Sequence, residues 1–160
     1  MREYRKNRTN SNMISFFTQD ITFSLCRQHR VGKWIKEVLS KHQNAPGEIN
    51  IIFCSDDYLL EMNKGFLKHH YYTDVITFDH AAHYMNGKIS GDIFISIDTV
   101  KANAIEFGVS FEEELLRVIA HGILHLLGFK DDTPENCLLM RQQEDAALLL
   151  IPPVNIRRYD

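Results

Sequence analysis

The feature that most constrains this chain is an almost wholly apolar stretch that carries two histidines. Residues 118–127 read VIAHGILHLL, in which the glycine and the side chains of His121 and His125 interrupt the apolar run. A helix that is apolar on every side lies in a protein core. Residues four apart share one face of a helix. The pattern therefore predicts a central buried helix, begun by a capping box at Ser110 and Glu113, with two neighbouring imidazoles.

Two buried imidazoles cost free energy unless their nitrogens have partners, and one metal ion can be the partner of both. Gly128 allows the chain to leave the helix in a left-handed conformation, and Asp131 and Asp132 follow within four residues. Two histidines and one carboxylate form a catalytic type of zinc site, with the fourth position left for water. We therefore predict one zinc ion per chain, held by His121, His125 and Asp131.

Other interpretations of these residues remain open. The spacing alone is weak evidence in a chain with eight histidines, and two core histidines can instead bond to backbone or carboxylate groups. Arg117 precedes His121 by one helical turn, so its guanidinium could bind a phosphate or stabilise an anionic transition state. The alternative for Arg117 is a salt bridge to Glu113 or Glu114 on the same helix.

Bulk properties exclude several classes of protein. A chain of 160 residues with 44% apolar residues favours one domain with a real core. The net charge of −3 gives no global basic field, so any nucleic-acid contact must come from a local patch. No apolar run reaches the roughly 18 residues of a membrane span. Three widely spaced cysteines make neither a disulfide framework nor a cysteine zinc site, which favours a reduced, cytoplasmic compartment.

The order of the patterns predicts an α+β domain of about four strands, because strand-like segments come early and helices cluster late. Residues 1–12 are polar and basic without periodicity. They are either a basic arm for RNA or an unstructured leader before a domain of residues 13–160, and we favour the leader. The predicted elements are a broken strand at 14–25, helices at 28–41, 98–107 and 111–127, a turn at 44–47, strands at 73–79 and 91–96 joined as a hairpin, and a last helix after Thr133-Pro134.

These residues together resemble the YbeY family of bacterial rRNA-maturation endoribonucleases, whose signature is His-Gly-x-Leu-His-x-x-Gly-Tyr-Asp-His. Further blocks are similar to the family in the same order, from about Met13 to Leu150. The matching segments are HGILHLLGFKDD at 121–132, NKGF at 63–66, TDVITF at 73–78, GDI at 91–93, and Met140 and Glu144 in the last helix.

The resemblance implies a zincin-like fold with a central metal-binding helix, and a zinc-dependent endoribonuclease specific for single strands. It also implies action in small-subunit rRNA 3′-end maturation and ribosome quality control, with single-stranded RNA and the ribosomal subunit as partners in the cytoplasm. Two positions depart from the family. Asp131 stands where the family has a third histidine, and Leu67 stands where it has an arginine thought to act on the phosphate.

The missing arginine makes Lys68 and Arg117 the candidate catalytic cations. We expect them to belong to a local basic cleft around the zinc; the alternative is that the lysines after Asn63 are a solvated helix end. Two other functions remain: a non-catalytic zinc-binding assembly factor, which Leu67 favours, and a metalloprotease, which Gly122 disfavours because zincin proteases carry a glutamate there. The predicted cleft comprises Lys64, Lys68, His69, His70 and Arg117.

Overall fold

The computed structural model describes residues 14–67, 74–80 and 88–151, without the side chains of residues 66 and 67. The leader predicted at residues 1–12 lies outside this part. The α+β class and the four-stranded mixed sheet predicted from the sequence are confirmed. The elements in chain order are β1 (Ile14–Thr18), α1 (Gln28–Lys41), β2 (Ala45–Cys54), α2 (Asp56–Met62) with a π-helical turn (Asn63–Leu67), β3 (Val75–Asp79), β4 (Lys88–Ser96), α3 (Ile97–Phe107), α4 (Phe111–Leu126) and α5 (Pro134–Leu148).

The sheet has the strand order β1-β2-β4-β3. β1, β2 and β4 are parallel, and β3 runs antiparallel to β4 with Val75 opposite Ile95 and Asp79 opposite Gly91. This pairing confirms the antiparallel arrangement predicted for the two strands. The connection predicted to join them as a hairpin lies outside the described residues.

The turn predicted at residues 44–47 is wrong, because β2 already begins at Ala45. Ala45 pairs with Lys88 and Pro46 with Ile89, and the register then shifts before Ile49. A proline within a strand is tolerated beside such an irregularity, since the backbone donor it lacks is not needed there. The Pro-Gly pair therefore marks a bulge in this chain.

The first predicted strand, at 14–25, is correct only in its first half, since β1 ends at Thr18. The chain leaves the sheet at Gln19 and Asp20, where the Asp20 carboxylate accepts hydrogen bonds from the backbone N–H and the hydroxyl of Ser55. This contact ties the segment after β1 to the residue that follows β2.

Alternate residues of the central strands divide between two hydrophobic clusters, as the period of a strand requires. The larger cluster lies between the sheet and helices α1 and α4, and the smaller lies on the opposite face against α2. The larger takes Ile49, Ile51 and Phe53 of β2 with Ile93 and Ile95 of β4, and the smaller takes Ile52, Cys54, Phe94 and Ile76.

Helix α4 is the central helix predicted from its composition, and it contacts both β3 and β4. Two glycines allow this close approach. A Cβ on Gly122 would lie 2.7 Å from Cγ2 of Ile93, and one on Gly91 would lie 2.8 Å from Cδ2 of Leu126. The sheet therefore fixes the position of the histidine helix. Within the described residues, no helix combines the length and apolar character needed to cross a membrane.

Candidate metal centre

Both ends of α4 are closed by the residues that the sequence suggested. The Ser110 hydroxyl accepts a hydrogen bond from the backbone N–H of Glu113 at 3.1 Å. At the other end Gly128 has φ of 99°, its N–H donates to the carbonyl of His125, and the N–H of Phe129 donates to the carbonyl of Leu124. This is a Schellman motif, and it turns the chain back towards the helix that it has just left.

The turn brings three potential ligands together, and we call His121, His125 and Asp131 the metal centre. Nε2 of His121 lies 2.9 Å from Nε2 of His125. Asp131 Oδ2 lies 3.2 Å from the first of these nitrogens and 3.4 Å from the second. The ligand atoms of all three residues lie within 4.8 Å of one another. The site is partly open, since the Asp131 side chain is 44% exposed.

The other nitrogen of each ring already has a partner. His121 Nδ1 lies 2.8 Å from Glu144 Oε2, and His125 Nδ1 lies 3.0 Å from the carbonyl oxygen of Phe129. A carboxylate and a carbonyl oxygen accept hydrogen bonds, so each Nδ1 carries a proton and donates it. A neutral ring protonated at Nδ1 has a lone pair at Nε2.

Two Nε2 lone pairs and a carboxylate oxygen therefore face one another at about hydrogen-bond distance. Such a group of acceptors repels unless a positive charge lies among them, either a metal ion or an added proton on Nε2 of His121. A metal ion satisfies all three groups at once, whereas one proton serves a single pair of them. The residues present therefore fit a metal ion, held as in sites where an outer acceptor fixes the tautomer of each ligating histidine.

Asp131 and Asp132 have different surroundings. The Asp132 carboxylate accepts a hydrogen bond from the side-chain amide of Asn136 at 2.6 Å, and this bond lowers its pKa. Thr133 caps α5 by accepting from the N–H of Asn136. Asp132 thus belongs to the start of α5, and the structure brings Asp131 to the histidines.

Arg117 lies on α4 as predicted, but its salt bridges differ from those considered for it. Nη1 lies 3.2 Å from Glu144 Oε1 and Nη2 lies 2.7 Å from Asp145 Oδ1. Both partners belong to α5, not to the first turns of α4. Glu113 and Glu114 are therefore not the salt-bridge partners of Arg117, because its side chain crosses to α5 instead of lying along α4.

A cleft of about 290 Å³ opens beside the metal centre, between α4, α5, and the start of β3. Burial by itself lowers the pKa of His121, but the hydrogen bond and charge of Glu144, with the charges of Asp74 and Asp131, raise it overall. Burial also raises the pKa of Asp74, and burial with the charge of Asp74 raises that of Glu114. The cleft wall combines four carboxyl groups with two guanidinium groups: Asp74, Glu114, Asp131, Glu144, Arg117 and Arg141.

The rest of the predicted basic cleft lies only partly within the described residues. Lys68, His69 and His70 lie outside the described residues, as does the side chain of Leu67. Lys64 is exposed, and its Nζ lies 3.8 Å from Oε1 of Glu61.

Sequence reasoning missed the contact of Glu144 with His121 and the place of Arg141 in the cleft wall. Glu144 was noted only as a match to the family's last helix; its place four residues after Met140, on the buried stripe of α5, could have marked it as a buried carboxylate that needs a partner.

Comparisons with known proteins agree with this geometry. A family model described as endoribonuclease YbeY matches residues 17–151. An endoribonuclease YbeY of Cytophaga hutchinsonii is 48% identical over 86% of this chain and 94% of its own length. That of Parabacteroides distasonis is 44% identical over 87% and 96%. A Thermotoga maritima protein solved in solution superposes with a TM-score of 0.60 at 27% identity, over 86% of this chain and 88% of that one.

The match extends over nearly the whole described chain and includes the histidine helix, the returning loop and the helix that carries Glu144. It confirms the resemblance noticed in the sequence. The chain belongs to the endoribonuclease YbeY family.

Proposed function

We propose that this protein is a zinc-dependent endoribonuclease specific for single-stranded RNA. We further propose that it works in the cytoplasm on the 3′ end of small-subunit rRNA and in ribosome quality control, with the ribosomal subunit as partner. The observation that carries the proposal is the meeting of two Nε2 lone pairs and the Asp131 carboxylate, in a chain whose relatives are named endoribonucleases.

The residues of the chain divide the work at this site. His121, His125 and Asp131 would hold the zinc, and Glu144 and the carbonyl of Phe129 keep the two rings turned towards it. Zinc in such a site acts as a Lewis acid and lowers the pKa of a water molecule. A carboxylate ligand leaves less positive charge at the site than a third histidine would. We therefore expect slower cleavage than in relatives that have histidine at this position.

Peptide hydrolysis is a poorer fit. It needs a carboxylate that activates water and passes the proton to the leaving amine. Zincin proteases place it directly after the first histidine, which is Gly122 in this chain. A side chain there would meet Ile93 of β4, since even a Cβ would lie at 2.7 Å. RNA cleavage depends less on such a residue, because a phosphodiester has a better leaving group than an amide and RNA carries its own 2′-hydroxyl as a possible nucleophile.

The test is a cleavage assay on a single-stranded fragment from the 3′ end of small-subunit rRNA, run beside the same sequence annealed to its complement. Wild-type protein should cut the single strand, and a chelator or the change His121→Ala should remove the activity. Denatured casein is the control for proteolysis. Asp132→Ala is the matched control variant, since it removes the neighbouring carboxylate and leaves the metal centre intact.

Three outcomes discriminate between the functions. Cleavage of the single strand that depends on zinc and on His121 supports the proposal. Cleavage of casein with intact RNA would replace it with a protease. Intact RNA and casein, with retained zinc and retained binding to the small subunit, would identify a non-catalytic assembly factor, the alternative that Leu67 favours.

A further inference from the structure

Two arginines approach the same carboxylate, Glu144, in very different ways. Arg117 is 13% exposed, and its two terminal nitrogens contact Glu144 and Asp145 at 3.2 and 2.7 Å. Arg141 is 57% exposed, and its Nη1 lies 3.8 Å from Glu144 Oε1, beyond hydrogen-bond distance. One guanidinium is thus committed to protein partners, and the other is open to solvent.

Glu144 connects Arg117 to the metal centre. Its side chain is 7% exposed, so its charge needs a partner inside the protein. One oxygen, Oε1, contacts Arg117, and the other, Oε2, accepts from Nδ1 of His121 at 2.8 Å. The guanidinium therefore fixes the orientation of the carboxylate that in turn fixes the tautomer of a metal-binding ring. Outer contacts of this kind govern metal affinity.

The same pairing makes Arg117 a poor ligand for a phosphate. Arg117 also lines the cleft, but its two terminal nitrogens already contact Glu144 and Asp145, and turning the guanidinium fully to an RNA phosphate would leave Glu144 buried without Arg117 as its charge partner. Arg141 has no such constraint. It lines the cleft with His121 and Asp131, and its planar fork of donors matches the oxygens of a phosphate.

We propose that Arg117 is a positioning residue, which holds Glu144 and through it His121 for the metal, and that Arg141 contacts an RNA phosphate in the cleft. The RNA contact rests on the proposed function, whereas the positioning role does not. The inference moves the phosphate contact predicted for Arg117 to a residue on α5 that sequence reasoning had not selected.

The positioning role is tested by zinc affinity, measured in competition with a chromophoric chelator. Arg117→Ala should bind zinc up to about 10-fold more weakly, the lower end of the cost of losing a group that contacts a ligand directly, because Arg117 acts through Glu144. Arg117→Lys should recover part of the affinity because an ammonium can still pair with Glu144. Arg141→Ala is the matched control and should match wild type.

Two further measurements separate positioning from a general loss of structure. The melting temperature of each variant in chelator reports the fold without metal. Nitrogen NMR of the imidazoles reports the tautomer, and Arg117→Ala should lose the Nδ1-protonated form of His121 while His125 keeps it.

The phosphate contact is tested by the salt dependence of binding to single-stranded RNA, at saturating zinc. Arg141→Ala should lower the log–log slope by about 0.7, the value of one lost contact on a single strand. Arg117→Ala should leave the slope unchanged. Oligouridylate, which cannot form a stable fold, is a suitable probe.

Each result tests a separate part of the proposal. Unchanged zinc affinity and tautomer in a folded Arg117→Ala variant would overturn the positioning role. A slope that falls with Arg117→Ala and not with Arg141→Ala would return the phosphate contact to Arg117. If wild-type protein binds no RNA, the proposed function fails and the role of Arg141 fails with it, while the zinc affinities still decide that of Arg117.

Discussion

Two groups of polar residues in the described part of the chain lie at the ends of strands and helices, and one of the two has the features of a metal site. The first is the metal centre between α4 and the start of α5. The second lies where the parallel strands β1, β2 and β4 end, and we call it the capping cluster. It comprises Asp20, Ser55, Asp56, Ser96, Asp98 and Thr99.

The capping cluster has three carboxylates, but each of them meets donors. Asp56 accepts from the hydroxyls of Ser96 and Thr99, and Asp98 accepts from the backbone N–H of Asp56 at 3.0 Å. Asp20 accepts from the N–H and hydroxyl of Ser55. The metal centre has one carboxylate, yet its acceptors face other acceptors. An excess of acceptors over donors therefore distinguishes the metal site, and the number of acidic residues does not.

The largest effect expected from this comparison is on metal content. His121→Ala should take the protein from one zinc ion per chain to almost none, because the two remaining ligands no longer surround the ion. Asp56→Asn, which alters the capping cluster, should leave one zinc bound. Elemental analysis of the purified variants gives the answer, and loss of zinc in Asp56→Asn would show that the two groups are not independent.

A sharper form of the same test compares two adjacent carboxylates. Asp131→Ala should strongly weaken zinc binding, since its Oδ2 lies within 3.4 Å of both histidine nitrogens. Asp132→Ala should keep the zinc, because that side chain contacts Asn136 at the start of α5. Zinc titrations of the two variants decide the question. The reverse result would make Asp132 the ligand.

Much of this arrangement could be predicted from the sequence where a local pattern determines the structure. The helix at 28–41 has the bounds that its apolar spacing predicted, and the caps at Ser110 and Thr133 form as expected. The close placement of His121 and His125 also follows from helix geometry alone. Such features depend on residues within a few positions of one another, so the sequence carries them directly.

Contacts between distant segments were the part that the sequence did not reveal. The partners of Arg117 lie 27 and 28 residues away on α5, and no rule of spacing selects them over Glu113 or Glu114. The pairing of Ala45 and Pro46 with β4 likewise depends on tertiary contacts, which override the turn tendency of Pro-Gly. The same limit explains why Arg141 was not selected as a residue of the cleft.

A smaller effect, on stability instead of metal, should follow from a change in the capping cluster. Ser96 is fully buried, caps α3 by accepting from the N–H of Thr99, and donates to Asp56. Ser96→Ala should lower the free energy of unfolding by about 1–2 kcal/mol, the upper range for losing an N-cap. Urea denaturation with zinc present measures the loss. Unchanged stability would contradict the capping role of Ser96. A loss of zinc would contradict the independence of the capping cluster and the metal centre.

The smallest predicted effect is a pH dependence that differs between zinc-free and zinc-loaded protein. Without zinc, the pKa of His121 is raised above its ordinary value. Burial lowers this pKa, but the hydrogen bond and charge of Glu144 and the charges of Asp74 and Asp131 raise it by more. A base with a raised pKa in the folded state stabilises the fold fully below its unfolded pKa, about 6.5, and loses that contribution as pH rises through the folded value. The raised pKa values of Asp74 and Glu114 also make the fold less stable as pH rises. Their effect begins at lower pH, because the ordinary pKa of a carboxyl group is lower than that of histidine.

Zinc binding favours the neutral form of His121 over the protonated form. A ligating imidazole must be unprotonated at Nε2, so protons compete with the metal. The difference in melting temperature between zinc-loaded and zinc-free protein should therefore grow as pH rises from about 6.5, the ordinary histidine pKa, through the higher pKa that His121 has in the folded protein. Differential scanning fluorimetry over that range, with zinc and with chelator, measures it. His121→Ala should abolish the growth. A difference that stays constant in wild type would mean that protonation of His121 does not oppose zinc binding.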